Sequence, residues 1–246
     1  MQISVIASGS NGNSTLIEHK NTSILIDAGK SIKETELRLN KLGKSLENLN
    51  GIILSHAHID HYLSAGAISR RFNTPLYLTK ETHELCKYKL GQCETKHFDV
   101  NIGFKINDIA IEPIKTSHDV PSCGFKINKF GIFTDTGHIT PEIKQVIKKL
   151  NGIILESNYD VDMLINGRYP YYLKQRILSN EGHLSNFDAC EFIKEHANHL
   201  DFVLLGHLSG NNNTPKIAKQ TFETIVKNKI EFQTLSRDKE SGVWEL

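Results

Sequence analysis

The sequence predicts a layered α/β protein in which two central sheets are flanked by helices. Three observations predict it. Short apolar runs of strand character come first in a cluster and then alternate with helical stretches, in two series of similar length. The 246 residues can bury a sizeable core and nothing in the composition calls for a second domain, so residues 1–246 read as one domain. Finally, His56, His118, Asp135, Glu156 and His207 each fall just past the end of an apolar run, where ligand-binding groups sit on open α/β scaffolds.

Taken in order, Ile3 to Ala7, Thr15 to Glu18 and Ser23 to Asp27 are the first extended pieces. Between the first two lies Ser8-Gly9-Ser10-Asn11-Gly12-Asn13-Ser14, which suits either a tight turn or a loop presenting backbone N–H groups to an anion. Ser31 and Glu34 form a capping box that opens a helix carrying Ile32, Leu37, Leu39 and Leu42, and Gly43 stops it. Ile52 to Leu54 is a short buried strand, followed by a helix from Tyr62 to Phe72 and a strand from Leu76 to Leu78. Thr79 caps a helix ending at Gly91, and the middle is strand-rich: Phe104 to Ile106, Ile109 to Ile114, Gly124 to Ile127 and Gly131 to Thr134, the last two joined by an Asn128-Lys129-Phe130 turn. Thr140-Pro141 starts the next helix, and Ile153 to Leu155 is a strand with Glu156 at its end. Helical stretches follow near Val161 to Asn166, Tyr171 to Leu178 and Phe187 to Ala197. The chain closes with strand Phe202 to Leu205, a helix from Thr214-Pro215 to Val226, and short strands towards Leu246.

Lys and Arg number 29 against 28 Asp and Glu, so a polyanionic partner would have to be met by a local basic patch. Cys86, Cys93, Cys123 and Cys190 form no Cys-x-x-Cys pair and read as reduced thiols of a cytoplasmic protein. No basic leader precedes Ile3 and no apolar run approaches spanning length, so neither secretion nor membrane insertion is expected.

The chemistry concentrates in Ser55-His56-Ala57-His58-Ile59-Asp60-His61, directly after a strand. A strand sends alternate side chains to opposite faces, so the chain must turn here to gather these donors. Imidazole with carboxylate suits zinc, manganese or iron. His56, His58 and His118 can supply three nitrogens to one metal, Asp60, His61 and His207 can supply a second, and Asp135 can bridge. A pair of ions about 4 Å apart shares a water, lowers its pKa and stabilises both entering and leaving oxygens. Locally, His118 also reads as a turn histidine held by Asp119, and Asp135 before Gly137 as a turn residue.

This order of ligands resembles the metallo-β-lactamase superfamily, whose hallmark is His-x-His-x-Asp-His followed by a histidine, an aspartate and a histidine on later strand ends. The segment Leu25-Ile26-Asp27-Ala28-Gly29 resembles its early aspartate-glycine segment. The resemblance implies a four-layer αββα sandwich with a dinuclear site: His56, His58 and His118 on one metal, Asp60, His61 and His207 on the other, Asp135 between, with Asp27, Asp119 and Glu156 behind them. Leu155-Glu156-Ser157-Asn158-Tyr159 and Gly182-His183-Leu184-Ser185 resemble the nuclease branch, where the histidine contacts the scissile phosphate. Read locally, His183 also fits a solvent-exposed residue before a helix cap at Ser185 or Asn186. The large helical insertion of those nucleases is missing. Gly167-Arg168-Tyr169-Pro170, Leu173 to Ser179, Gly182 to Asn186, Ser10 to Ser14 and Asn212 to Pro215 are similar to the compact YycJ/WalJ family, which implies a 5′-to-3′ DNA exonuclease linked to DNA repair.

The expected activity is therefore a phosphodiesterase using a hydroxide shared by two divalent ions (zinc or manganese, with iron possible), with Asp60 and His183 catalytic and nucleic acid, specifically DNA, as substrate. Ser10, Asn13, Arg168, Tyr169, Lys174, Arg176, His183 and Ser185 are the candidate phosphate or substrate contacts. Arg168, Tyr169, Tyr171, Tyr172, Lys174 and Arg176 interleave aromatic and basic groups as a single-strand groove does, or as a tyrosine-anchored helix with a solvated basic face does. The alternative activity is small-ester hydrolysis, as by a lactonase or thioesterase, on the same two metals.

Overall fold

The apolar runs become strands and the capped stretches become helices in a computed structural model of the chain, which describes residues 1–227 and 230–246. Contacts divide the chain into two compact units, Met1–Pro113 with Ser236–Leu246, and Ile114–Leu235.

In the first unit, β1 (Gln2–Ala7), β2 (Ser14–His19) and β3 (Thr22–Ile26) form an antiparallel meander. β4 (Gly51–Ile53), β5 (Leu76–Leu78) and β6 (Thr95–His97) then add in parallel, and β14 (Val243–Glu245) pairs with the free edge of β1. The resulting seven-stranded sheet has the order β14-β1-β2-β3-β4-β5-β6. Helices α1 (Ile32–Lys41), α2 (Ile59–Tyr62), α3 (Ala65–Phe72) and α4 (Lys80–Leu90) supply the crossovers that parallel neighbours require. Ile6, Leu16, Leu25, Leu39, Ile52 and Ile68 belong to one buried cluster, so this sheet is sealed on the face carrying α1 and α3.

Ser31 caps α1 as expected, accepting from the N–H of Glu34 at 3.3 Å, but the Glu34 carboxylate turns forward to Arg38 at 2.8 Å. Only half of the capping box forms. The helix expected from Tyr62 to Phe72 is two helices, because Ser64 breaks the run by bonding through its N–H and hydroxyl to the carbonyl of Ala28, at 2.9 and 3.2 Å. The strand β6 escaped the sequence reading altogether.

The second sheet has the order β13-β12-β11-β10-β9-β8-β7, with β7 (Phe104–Ile106), β8 (Ile109–Lys115), β9 (Cys123–Ile127), β10 (Phe130–Phe133), β11 (Gly152–Glu156), β12 (Phe202–Gly206) and β13 (Glu231–Thr234). β9 and β10 form a hairpin over Asn128-Lys129, with Phe130 paired to Ile127 and therefore inside the strand instead of the turn. From β10 onward the strands run parallel. Their connections carry α5 (Pro141–Val146), α6 (Val161–Asn166), α7 (Tyr171–Leu178), α8 (Asn186–His196) and α9 (Pro215–Ile225). β11 and β12 are buried at every position, as a central parallel strand covered on both faces must be. Phe133, Ile153, Leu155, Val203, Leu205 and Phe222 lie in this unit's core. No helix among the described residues is long and apolar enough to cross a membrane.

Candidate metal centre

In the first unit the histidine cluster is built at the end of β4. The chain leaves the strand through Leu54 and Ser55, and His58 takes the extended N-cap position of α2, placing Asp60 and His61 in the helix's single turn. The neighbouring strand β3 ends in Asp27, a non-glycine residue in the left-handed region at φ 57°. Its Oδ1 accepts from the Ser55 N–H at 2.9 Å, while Oδ2 faces His61 Nδ1 at 2.7 Å and the Ser55 hydroxyl at 2.9 Å. A carboxylate only accepts, so His61 carries its proton on Nδ1 and keeps a lone pair on Nε2. That Nε2 lies 2.9 Å from the Asn13 amide nitrogen and 3.7 Å from Asp60 Oδ2. His56 Nδ1 lies 3.0 Å from the Ser55 hydroxyl, and its Nε2 lies 3.1 Å from His58 Nδ1.

A glycine makes this packing possible. A Cβ built on Gly29 would stand 1.7 Å from the carbonyl oxygen of Asp60, so the turn after β3 and the turn of α2 touch backbone to backbone.

In the second unit three more histidines follow the same rule. His118, after β8, donates from Nδ1 to the carbonyl of Gly182 at 3.1 Å, which leaves Nε2 3.3 Å from Asp119 Oδ1 and 3.7 Å from Asp135 Oδ1. Glu156, the last residue of β11, has no solvent exposure. Its Oε1 accepts from Nδ1 of His183 at 2.7 Å and from Nδ1 of His207 at 2.8 Å, and its Oε2 accepts from the N–H of Thr136 at 2.8 Å. Burial alone pushes this carboxyl up, but the imidazoles of His183 and His207 outweigh it and hold it below the usual range. His207 Nε2 comes within 3.6 Å of Asp135 Oδ1. Asp135 and His207 both take positive φ, 56° each, just past strand ends, which is backbone strain gathered at one place.

Asp135, Glu156, His183 and His207 bring one ligand atom each to within 4.8 Å of one another. The donor set fits a divalent cation. On His61, His118, His183 and His207 the proton is fixed on Nδ1 by a carboxylate or a backbone carbonyl, so Nε2 is left to coordinate, as in the carboxylate–histidine–metal arrangement. Imidazole and carboxylate donors together suit zinc, manganese or iron.

Of the candidate substrate contacts, Ser10 is exposed at the tip of its loop. Asn13 is buried, accepts from the Gly9 N–H at 2.9 Å and lies 3.3 Å from Asp60 Oδ2, so it borders the candidate ligands. Arg168 is exposed, and the Tyr169 hydroxyl accepts from Asn211 at 2.8 Å. Lys174 donates to the carbonyl of Ile165 at 2.7 Å, and Arg176 pairs with Asp119. Ser185 is buried and caps α8, accepting from the Asp188 N–H at 3.0 Å. Sequence reasoning missed Ser55, whose place just before the first histidine was its only signal. It also missed the carbonyl of Gly182, a backbone group with no signal in residue type.

The family model described as the metallo-beta-lactamase superfamily matches residues 7–142. Exodeoxyribonuclease YycJ of Bacillus anthracis is 33% identical over 241 residues, covering 93% of this chain and 90% of its own. Exodeoxyribonuclease WalJ of Streptococcus pneumoniae serotype 2 is 36% identical over 230 residues, covering 89% of this chain and 85% of its own. Among solved structures, the metallo-beta-lactamase fold protein YhfI from Bacillus subtilis matches with a TM-score of 0.78 at 20% identity, over 100% of this chain and 99% of that one. Human tRNase Z, short form, matches at 0.68 and 13% identity, over 100% and 99%. At such identities these two structures speak to the fold.

Proposed function

Because the chain belongs to the metallo-β-lactamase superfamily of hydrolases, we propose that it is a metal-dependent phosphodiesterase that trims nucleic acid, acting on DNA as an exonuclease in the 5′-to-3′ direction. His56, His58 and His118 would hold one ion, Asp60, His61 and His207 the other, and Asp135 both, with zinc or manganese as the metals. When bound, such a pair lowers the pKa of a shared water and offsets charge at phosphorus.

The observation that carries the reading is Glu156. One buried carboxylate grips two imidazoles, that of His207, a proposed ligand, and that of His183, whose side chain keeps 19% of its surface exposed. His183 is thereby oriented by its Nδ1, with Nε2 left for substrate. Acting as an imidazolium, with one proton held on Nδ1 by Glu156 and a second on Nε2, His183 gives the Nε2 proton to the leaving sugar oxygen as water attacks phosphorus in line and the bond from phosphorus to that oxygen breaks, and the proton released by the water restores it. A sugar alkoxide is a poor leaving group, so a positioned acid is worth more here than on an activated ester.

The support for a nucleic acid is twofold. Two relatives at 33% and 36% identity are named exodeoxyribonucleases. Helix α7 exposes Tyr171 and Tyr172, each about three-quarters exposed, near the exposed cation Arg168, and exposed aromatics beside cations suit base stacking on a single strand. The test is cleavage of 5′- and 3′-end-labelled single- and double-stranded oligonucleotides by the zinc- or manganese-loaded protein. Stepwise shortening that Asp60→Ala abolishes is expected, and no cleavage above that variant sinks the reading.

A further inference from the structure

The second unit also holds a cavity of about 440 Å³ that the reaction above leaves unused. That volume is in the range of sites that take small molecules, about 300–1,000 Å³. The chain runs into it from both halves of the proposed acid and ligand set. Gly137 and His138 come two and three residues after Asp135, and Tyr159 comes three after Glu156. His138 ties two lips of the cavity together by donating from Nδ1 to the carbonyl of Asn180 at 3.1 Å, which leaves its Nε2 an acceptor.

The lining has two characters. Leu178, Leu184, Ile139 and Phe192 are apolar, whereas Asp188, Glu191 and Glu195 of α8 bring three carboxylates and Lys144 one cation, with Glu191 also paired to Lys194 at 3.1 Å and Glu195 lying 3.6 Å from His196. Tyr159 is 5% exposed, lines the cavity, and its hydroxyl has no hydrogen-bond partner among the described residues. The ring is buried while the hydroxyl opens into the cavity, where it can donate to water or to an occupant. Burial, with Asp188 and Glu156 nearby, pushes this phenol up to about 12, so it stays a donor at any working pH. Asp188 Oδ2 accepts from the Ser185 hydroxyl at 2.6 Å, and its Oδ1 has no such donor among the described residues.

We propose that this cavity is a nucleobase subsite that selects a base bearing an exocyclic amino group, cytosine being the base tested. The proposal rests on the nucleic-acid reading above. Carboxylates repel a phosphate and accept from an amino group, the Tyr159 hydroxyl donates to a ring nitrogen or carbonyl, and the apolar wall covers a planar ring. Uracil presents a carbonyl where cytosine presents the amine, and so would set an oxygen against a carboxylate. The cavity's edge at Leu178 is the last residue of α7, so a strand laid along Tyr171 and Tyr172 would reach it at that helix's end.

Cytidine and uridine titrated into the metal-loaded full chain, followed by saturation-transfer NMR, test this without turnover, since a nucleoside has no phosphodiester. Cytidine is expected to bind about tenfold tighter than uridine, the ratio one hydrogen bond to a charged group supports. Tyr159→Phe should weaken cytidine severalfold, and Glu191→Gln should narrow the cytidine-to-uridine ratio, with circular dichroism and thermal melting confirming that each variant is folded. Equal affinities, no saturable binding, an unchanged ratio in both variants, or saturation by spermidine in place of cytidine would each overturn the proposal. Those outcomes leave oligonucleotide cleavage to be judged alone, and cytidine binding by a protein that cuts nothing would sink only the phosphodiesterase reading.

Discussion

Asp27 shows how much one side chain behind a candidate ligand decides. It fixes the proton of His61 and the hydroxyl of Ser55 at once, so Asp27→Asn would offer an amide N–H where a carboxylate oxygen is needed. The expected outcome is a loss of about 10–100-fold in metal affinity, read by competition with a chromophoric chelator. Glu156→Gln should cost a similar factor in turnover of oligonucleotides, because one oxygen serves both His183 and His207. The thiols make a different prediction. Burial pushes Cys86 up to about 11 and Cys190 up to about 12, and it raises Cys93 as well, although Cys93 is only half-buried. In the unfolded chain these thiols ionise near pH 8.5. Between that value and about 11 the folded state therefore binds more protons than the unfolded state, and stability falls as pH rises through this window. Urea midpoints should drop from pH 8 to pH 10, and iodoacetamide at pH 8 should label Cys93 before denaturant and the buried Cys86, Cys123 and Cys190 only after it.

Among the elements, those with a strong period were legible and those held by contact were not. β4, β11 and β12 were readable because a strand buried on both faces is a run of apolar residues. Caps at Thr79, Thr140 and Thr214 were readable because a hydroxyl before a helix satisfies an N–H that the helix itself cannot. β6 was not, since Thr-Lys-His at the edge of a sheet is exposed and has no apolar face to betray it. The break between α2 and α3 was hidden too, because the carbonyl that draws Ser64 belongs to Ala28, 36 residues earlier. Close helix packing adds a testable case. A Cβ on Gly66 of α3 would stand 2.0 Å from the carbonyl oxygen of Leu90 at the end of α4. Gly66→Ala should therefore destabilise the protein by about 1–3 kcal/mol in urea unfolding, despite alanine's better helix propensity.

For the whole molecule, a formal charge of +1 means that binding to a polyanion depends on few cations. Near α7 Lys174 and Arg176 already have protein partners, and Arg168 has none among the described residues. With roughly three phosphate contacts on a single strand, the logarithm of affinity should fall against that of salt with a slope of about −2. Fluorescence anisotropy of a labelled oligonucleotide between 50 and 200 mM salt, values of about that order being usual for this measurement, would check it. Binding that ignores salt would instead point towards an uncharged substrate.

Residue order alone determined the donor types, their spacing and the strand ends that carry them, because those follow from hydropathy period and side-chain chemistry within a few positions. It could not say which nitrogen of each ring carries the proton. That choice was made by acceptors far along the chain: Asp27 for His61, 34 residues away, Gly182 for His118, 64 away, and Glu156 for His183 and His207, 27 and 51 away. An imidazole has one proton to place when neutral, and an acceptor that cannot donate places it. Only the folded chain brings those acceptors to the rings.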